Sequence, residues 1–275
     1  MAAAVDTKTC FLGRGEGRIA YEATGRGPLV VCAPGMGDLR SVYRFLAPAL
    51  AEAGYRAATV DLRGHGESDA TFAVCNDVAL GTDLVSLVEH LGGGPAVLVG
   101  NSMGAAAAAW AAAEASRLVA GLVPIGPSVR NVPIGAASTL ALRLGLLRPW
   151  GPALWNAYYA RLYPGRPPAD LAEHRAHITR SLRQPGHWRA FLATTHTSHA
   201  PVEARLGEIH APALVVMGAR DPEFPNPSAE GRFVADALAG ELRMVPNAGH
   251  YPQAEYPEIV NPAVLAFLAR VFRHA

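Results

Sequence analysis

Short uninterrupted apolar runs alternate with segments of helical spacing, and no other feature restricts the possible fold as strongly. The runs are PLVVCA, RAATV, AVLVG, LVAGLVPIG and ALVVMG. A run without polar alternation is typical of a strand that is buried on both faces of a parallel sheet. Segments such as DVALGTDLVSLVEHLG lie between the runs, and their apolar residues recur every three or four positions, as in a helix. This alternation predicts an α/β fold in which helices cover both faces of a mostly parallel, twisted sheet.

Three further segments bring the predicted sheet to about eight strands. KTCFL and RIAYEA near the start read as strands joined by a glycine-rich turn, and ELRMV lies near the end. No helix follows the glycine-rich turn, which argues against a dinucleotide site there. Hydrophobic residues make up 50% and charged residues 17% of the 275 residues, so the chain can bury a large core.

The alternation of strand and helix stops between residues 127 and 206. This stretch contains many prolines, aromatic residues and short helical pieces but no clear buried strand, and the pattern resumes at ALVVMG. We therefore expect a helical cap, or lid, inserted after the sixth strand. The predicted domains are a core of residues 1–126 and 207–275 and a cap of residues 127–206.

One serine stands between two glycines where a predicted buried strand ends and an alanine-rich helix begins. Residues 100–104 read GNSMG and fit the pattern G-x-S-x-G in its required context of strand, turn and helix. Such a turn exposes the hydroxyl of Ser102, and the flanking glycines let the strand and the helix approach closely. The free N–H groups at the start of the helix favour an anion beside this serine.

A serine needs a base to act as a nucleophile, and an aspartate and a histidine follow later strands. Asp221 comes just after the run ALVVMG, and His250 follows the strand ELRMV and a glycine. Residues just beyond the carboxyl ends of strands in an open α/β sheet share one crevice. We therefore expect Ser102, Asp221 and His250 to converge despite their separation along the chain.

Four segments together resemble motifs of the α/β-hydrolase superfamily, in its serine esterase and lipase-like branch: DLRGHGESD, GNSMG, GARDP and AGHYPQAEYPE. The resemblance covers nearly the whole chain. It implies that Ser102 is the nucleophile, that His250 is the general base and then the acid, and that Asp221 orients the imidazole. In some members the acid follows the strand before the cap, but LVPIGPSVRNVP has no carboxylate. Glu223 remains the alternative acid.

The resemblance also implies an oxyanion hole made of two backbone N–H groups. Met103, the residue after the nucleophile, would supply one, and we assign the other to Met36 in the segment APGMGD. Many members of the family have His-Gly in this loop, where the chain has Pro34 and Gly35. The departure removes a histidine and keeps the glycine.

The substrate pocket is expected beneath the cap, where aromatic side chains would border an apolar acyl or alcohol site. Asp38 and Arg40 would either contact a polar group of the substrate or hold the loop of the oxyanion hole in place. His65 in DLRGHGESD is expected to tie its own turn together rather than act as a second base. The pocket candidates are Gly35, Asp38, Trp150, Trp155, Tyr159, Trp188 and Tyr251.

The remaining histidines and the cysteines give no sign of a metal or another cofactor. His196 and His199 are three residues apart, but no carboxylate or cysteine nearby completes a ligand set. We expect His174, His177 and His187 to be solvated or capping residues. The three cysteines are expected to be free thiols in a reducing compartment: Cys10, Cys32 and Cys75.

With the resemblance, these residues predict a cofactor-free serine hydrolase that cleaves small to medium uncharged carboxylic esters through an acyl-enzyme. One alternative keeps the triad and cleaves carbon–carbon bonds in vinylogous diketones, and another is a thioesterase. A third is a ligand receptor on a hydrolase scaffold. Related haloalkane dehalogenases and epoxide hydrolases carry an aspartate in place of Ser102, which disfavours those reactions.

The partner predicted for this chain is a small-molecule substrate. A formal net charge of +1 without a basic block argues against nucleic acid. No window holds about 18 uninterrupted apolar residues and the N-terminus lacks an apolar signal core, so we expect no membrane partner and a cytoplasmic protein. The sequence leaves the oligomeric state open.

Overall fold

Eight strands form one sheet in the computed structural model, which describes residues 8–92, 94–131, 141 and 144–273. Their order across the sheet is β1-β2-β4-β3-β5-β6-β7-β8. β2 is antiparallel to both of its neighbours, whereas β3 to β8 all run parallel. The prediction of a mostly parallel sheet of about eight strands is confirmed. The strands are β1 (Cys10–Gly13), β2 (Arg18–Thr24), β3 (Leu29–Ala33), β4 (Arg56–Val60), β5 (Ala96–Asn101), β6 (Val119–Ile125), β7 (Leu214–Gly218) and β8 (Glu241–Val245).

Helices connect the strands, and local signals mark where several of them begin and end. The side chain of Asn76 accepts a hydrogen bond from Ala79 N at the start of α2, and Gly92 ends that helix in the left-handed conformation. No helix in the described part of the chain is both long and apolar enough to cross a membrane. The helices are α1 (Leu46–Glu52), α2 (Asp77–Leu91), α3 (Met103–Glu114), α4 (Gly151–Arg161), α5 (Leu171–Leu182), α6 (His187–Thr194), α7 (Ala200–Glu203), α8 (Pro227–Ala237), α9 (Pro252–Glu255) and α10 (Pro257–Val271).

The two faces of the sheet pack into two separate hydrophobic cores. Leu29 and Val31 of β3 pack into the core that holds the apolar residues of α2, α3 and α8. Val30 and Cys32 point the other way, into the core formed with α1 and α10. All five residues of β3 are buried, and so are those of β5 and β7. Burial on both faces explains why these strands are continuous apolar runs.

The alanine-rich helix α3 lies close to the sheet because its first turn and the end of β5 contain glycine. A Cβ added to Gly104 would overlap the carbonyl oxygen of Ala33, and one added to Gly100 would overlap the backbone of Gly104. The alanines that follow are buried against the sheet. Small side chains therefore set the short separation between α3 and the strands.

Residues 144–208, here called the helical insertion, lie between β6 and β7 and include α4 to α7. The insertion contacts loops that follow the strands. Trp155 donates its indole N–H to Gly37 O at 3.2 Å, and Leu162 O accepts the N–H of His250 at 2.9 Å. It therefore covers the carboxyl ends of β3 and β8. Residues 132–140 and 142–143 of the expected cap lie outside the described residues, and the cap boundaries at 127 and 206 stay a prediction.

We expect Gly104→Ala to lower the free energy of unfolding by about 1–3 kcal/mol, because the new methyl group meets backbone that cannot rotate away. Gly207→Ala is the matched control, since a Cβ at Gly207 meets nothing within 4 Å. Urea unfolding of both variants measures the difference. Equal stability of the two variants would contradict the close approach of α3 to β3.

Candidate active site

Ser102 occupies a strained turn between β5 and α3. Its backbone has φ 52° and ψ −117°, a conformation that costs a residue with a side chain about 1–3 kcal/mol. The surrounding backbone holds the turn, since Ser102 N donates to Ile125 O at 3.0 Å and Ser102 O accepts from Ala105 N at 3.0 Å. The hydroxyl is thereby presented at the start of α3, where the helix dipole is positive.

His250 and Asp221 form a buried pair at the ends of neighbouring strands. Asp221 follows β7 and His250 follows β8, and Nδ1 of His250 lies 2.7 Å from Oδ2 of Asp221. The N–H of Glu223 donates to the other carboxylate oxygen at 2.9 Å. Because Nδ1–H of the neutral ring donates its hydrogen bond to Asp221, Nε2 carries no proton. No described residue forms a hydrogen bond with Nε2.

The charge of Asp221 makes His250 more basic than an ordinary histidine. Burial alone lowers the pKa of His250, but the charge and hydrogen bond of Asp221, with smaller contributions from Glu223 and Asp38, outweigh it. The result is a pKa raised from 6.5 to about 9. The site therefore favours the imidazolium, the form that a general base becomes when it takes a proton.

Gly126 allows the His250–Asp221 pair to approach the end of β6. Its φ is +49°, and a Cβ there would lie 3.2 Å from Nδ1 of His250 and 3.3 Å from Oδ2 of Asp221. Asn101, the last residue of β5, donates from its side-chain amide to Ile125 O at 3.0 Å and to His250 O at 3.1 Å. The ends of β5 and β6 thus lie beside the residues that follow β7 and β8.

The hydroxyl of Ser102 pairs with a second serine that sequence reasoning missed. Ser102 Oγ lies 3.3 Å from Ser128 Oγ, and within the described residues this is its only hydrogen bond. Ser128 follows β6, the strand beside β5, and its N–H donates to Ser102 O at 3.4 Å. A polar residue just after a neighbouring strand was the signal that could have revealed it.

Residues 35–38, here called the oxyanion loop, lie beside Ser102. A Cβ on Gly35 would lie 3.1 Å from Cβ of Ser102. No described residue accepts a hydrogen bond from the N–H of Met36 or of Met103. Two free donors next to a serine are what an oxyanion hole requires.

His65 holds the oxyanion loop from the side of the core. Its Nε2 accepts the N–H of Gly37 at 3.1 Å, and its Nδ1 lies 2.9 Å from Arg63 O. Burial lowers the pKa of His65 to about 4, so the ring is neutral and can accept this bond. The contact with Arg63 O lies within the turn that His65 was expected to tie together, and the bond from Gly37 adds support for the oxyanion loop, which was not expected.

Most of the pocket candidates in or near the insertion are buried. Trp155, Tyr159, Trp188 and Tyr251 are enclosed, whereas Trp150 is half exposed and donates its indole N–H to Leu144 O at 3.0 Å. These aromatic residues pack on one another, as in the pair Trp155 and Phe191 with ring centroids 4.8 Å apart. Which of them border a substrate stays a prediction.

Two polar pocket candidates are held within the protein instead. Asp38 is 0% exposed and binds His174, Tyr159 and Leu39 N, and its place at the border of a pocket stays a prediction. Arg40 hydrogen-bonds Glu22 at 2.7 Å and also pairs with Asp61. Two roles were considered for Arg40, contact with the substrate and support of the loop, and these bonds agree with support of the loop.

Two histidines expected to be solvated or capping residues are buried. His174 binds Asp38 through Nε2 at 2.8 Å, and His187 is the first residue of α6, with its pKa lowered by burial. Sequence reasoning missed the burial of these two histidines because a helix position in the insertion can face either the core or the solvent, and the sequence did not show which. His199 binds Asp77 at 2.6 Å. Within the described residues, no group of three or more His, Cys, Asp or Glu side chains could hold a metal ion.

Glu255 joins the loop of His250 to the helical insertion. Its carboxylate accepts the backbone N–H groups of Gly165 at 2.8 Å and Arg166 at 3.1 Å, and also that of Gly249. The side chain is 1% exposed. Sequence reasoning quoted this residue within a motif but gave it no role, since its two partners in the insertion lie about 90 residues away.

A cavity of about 810 Å³ lies between α1 and α5. Ser41, Arg44 and Arg180 are among its lining residues, and Ser102, Asp221 and His250 are not. The chemistry of the side chains, rather than cavity volume, therefore locates the candidate site.

Residues 30–263 match the alpha/beta hydrolase family, and the chain belongs to that family. A protein of Mycobacterium tuberculosis named "Putative non-heme bromoperoxidase BpoC" is 31% identical to this chain, over 92% of the chain and 98% of its own length. The 2-hydroxy-6-oxo-6-phenylhexa-2,4-dienoate hydrolase of Burkholderia cepacia is 29% identical, over 92% and 91%. The structure of a thermophilic esterase from Thermogutta terrifontis superposes with a TM-score of 0.75 at 26% identity, over 96% of this chain and 99% of the esterase. The chain is thus similar to hydrolases of several kinds.

We expect Glu255→Gln to destabilise the protein by roughly 1–3 kcal/mol, because the new amide group faces a backbone donor in a buried site. Glu258→Gln is the matched control: Glu258 is exposed, and it pairs with Arg166 at the surface. Urea unfolding compares the two variants. A Glu255→Gln protein as stable as the control would show that this carboxylate does not hold the two segments together.

Proposed function

We propose that this protein is a cofactor-free serine hydrolase that cleaves small to medium uncharged carboxylic esters. Ser102 is the nucleophile, His250 the general base and acid, and Asp221 the residue that orients the imidazole. One observation carries the proposal. His250 is bound to Asp221 through Nδ1, with Nε2 free within the described residues, at the sheet edge where Ser102 stands in a strained turn.

The proposed reaction begins when Ser102 Oγ turns from Ser128 towards Nε2 of His250. Nε2 takes the hydroxyl proton while Oγ bonds to the ester carbonyl carbon, and the carbonyl oxygen becomes an anion. The N–H groups of Met36 and Met103 bind that anion. The imidazolium then protonates the departing alcohol, which leaves an acyl group on Ser102.

Water then removes the acyl group by a second addition and collapse, in which His250 again acts first as the base and then as the acid. Nε2 of His250 takes a proton from water, the hydroxide attacks the acyl carbon, and the second tetrahedral anion occupies the same two N–H groups. Its collapse breaks the bond to Oγ, which regains a proton from His250. The products are the carboxylic acid and the alcohol, and neither a metal nor a redox group takes part.

The charges near the site favour an uncharged substrate. Arg130, two residues after Ser128, is bound to Glu230 at 2.6 Å and stacks on Phe233. Arg40 near the oxyanion loop is engaged by Glu22, Asp61 and Glu67. Both arginines are therefore neutralised and offer little to a substrate carboxylate. The likeness to an esterase structure is in keeping with this substrate class.

Similarity to the dienoate hydrolase of B. cepacia favours a second candidate, cleavage of a carbon–carbon bond on the same triad. Steady-state assays with a dienoate diketone and with an uncharged aryl ester separate the two. A kcat/KM that is higher for the ester supports the proposal, and a preference for the diketone replaces it. Thioester cleavage is tested in the same panel, and a labelled Ser102 without turnover of any substrate would indicate a ligand receptor.

We expect Ser102→Ala to lower kcat for an aryl ester by a factor on the order of 10⁶, by analogy with other triads. Ser116→Ala is the matched control, because Ser116 is an exposed serine in a short 3₁₀ helix after α3. The control is expected to hydrolyse the ester at the wild-type rate. Hydrolysis by Ser102→Ala at a comparable rate would refute the proposed nucleophile.

We expect kcat/KM to fall as pH drops through the pKa of His250, because only the neutral imidazole can take the proton of Ser102. Since Asp221 raises this pKa from 6.5 to about 9, the acidic inflection should lie above pH 6.5. Glu223→Gln removes one of the charges that raise it and should move the inflection to lower pH.

Glu241→Gln serves as the control for this pH profile, since Glu241 is exposed on β8 and pairs with Arg270. Its inflection should equal that of the wild type. A wild-type inflection at or below pH 6.5, or one that Glu223→Gln leaves in place, would contradict the electrostatics described for the site.

A further inference from the structure

Asp38 is a charged residue that lies wholly inside the protein, at the end of the oxyanion loop. Its side chain is 0% exposed. Oδ1 lies 2.7 Å from Leu39 N and 2.8 Å from Nε2 of His174, and Oδ2 lies 2.9 Å from the hydroxyl of Tyr159. Two of these three partners belong to the helical insertion, on α4 and α5. The carboxylate is therefore a junction between the loop and the insertion.

Each of the three partners in this junction can donate a hydrogen bond to the carboxylate of Asp38. Burial, with the charge of Asp38 adding to it, raises the pKa of Tyr159 well above 10, so the phenol keeps its proton and donates it to Oδ2. His174 donates from Nε2 to Oδ1, and its Nδ1 can accept from Ser41 Oγ at 3.2 Å. A buried carboxylate with three donors is well satisfied, and removal of its charge would leave those donors without an ionised acceptor.

The same insertion also holds the middle of the oxyanion loop. Trp155 donates its indole N–H to Gly37 O, and a Cβ on Gly37 would lie 2.6 Å from the ring of Trp155. Met36, whose N–H is a candidate oxyanion donor, stands between Gly37 and the Gly35 that borders Ser102. Bonds at Gly37 and Asp38 therefore fix the direction of the Met36 N–H group.

Asp38 also acts on His250 through its charge. Aromatic rings fill the space between them: the centroids of Tyr159 and Tyr251 are 5.1 Å apart, and those of Tyr251 and His250 are 5.2 Å apart. Such a layer contains little water to screen a charge, so the interaction extends further than it would at the surface. The charge of Asp38 is one of those that raise the pKa of His250.

We propose that Asp38 is a positioning residue that ties the oxyanion loop to the helical insertion through Tyr159 and His174, and that places a buried negative charge across the layer of Tyr159 and Tyr251 from His250. The inference rests on the proposed function, because it assigns a role within the same reaction. Asp38 does not touch the substrate. It fixes the position of the Met36 N–H group, and its negative charge acts on His250.

Other titratable groups share this environment and set the background of the test. His250 is faced by Asp221, Glu223 and Tyr251 besides Asp38. The titratable groups that face Asp38 from the insertion and the core turn are His174, Tyr159, Tyr163 and His65. Tyr43 and Tyr251 lie nearby. The decisive substitution, Asp38→Asn, changes the charge of Asp38 alone.

The experiment compares Asp38→Asn, Tyr159→Phe and His174→Gln with the wild type. It measures kcat and KM on an uncharged aryl ester, the rate at which a fluorophosphonate labels Ser102, and the pH profile of both. His177→Gln is the matched control, because His177 is an exposed histidine one turn further along α5. Thermal unfolding of each variant is recorded alongside.

We expect Asp38→Asn to lower kcat and the labelling rate on the order of ten- to a hundredfold with little change in KM, because the oxyanion donor is misplaced. Its acidic inflection should move to lower pH, since a charge near His250 is lost. Tyr159→Phe and His174→Gln should lower kcat less and keep the wild-type inflection, because the carboxylate stays charged. His177→Gln should match the wild type throughout.

A wild-type labelling rate and inflection in Asp38→Asn would overturn the inference while leaving the nucleophile in place. If Asp38→Asn does not fold, the two other variants decide the question. A wild-type kcat in both Tyr159→Phe and His174→Gln overturns the inference, and a lower kcat with an unchanged acidic inflection supports it. A wild-type protein that the fluorophosphonate does not label at Ser102 would overturn the proposed function itself.

Discussion

Close backbone packing at the carboxyl edge of the sheet is the constraint on which the site depends. Gly104 lies against Ala33 and Gly100 against Gly104, so α3 starts immediately beside the strands and Ser102 is forced into its unusual backbone conformation. At the next strand end, Gly126 leaves room for the imidazole and carboxylate of His250 and Asp221. A side chain at any of these glycines would clash with the backbone or side chains that hold Ser102, His250 and Asp221 in place.

The helical insertion is part of the catalytic scaffold as well as a cover. Its backbone binds the loop of His250 through Leu162 O, and Glu255 bonds both to Gly165 in the insertion and to Gly249 in that loop. Side chains of the insertion reach the oxyanion loop on the opposite side. The positions of His250 and of the oxyanion loop, the proposed base and the proposed source of an oxyanion donor, are thus both set by residues outside the sheet.

The strands and the candidate triad could be predicted from the sequence, because their signals are local. A strand buried on both faces is an apolar run, and Ser102, Asp221 and His250 each follow one strand closely. The enclosed positions of Asp38 and His174 could not be predicted, since burial there depends on the contact of two segments 136 residues apart. The same holds for Asn101, since His250 O, one of its two acceptors, lies 149 residues away. Ser128 did carry a signal, because it is a polar residue just after the strand beside β5.

A crystal structure of the protein inactivated by an aryl phosphonate tests the central claim most directly, since the adduct imitates the tetrahedral intermediate. The account predicts a bond between phosphorus and Ser102 Oγ. The phosphonyl oxygen should lie about 2.7–3.1 Å from the N–H groups of Met36 and Met103, with Nε2 of His250 beside Oγ. An adduct on another residue, or a phosphonyl oxygen turned away from both N–H groups, would contradict it.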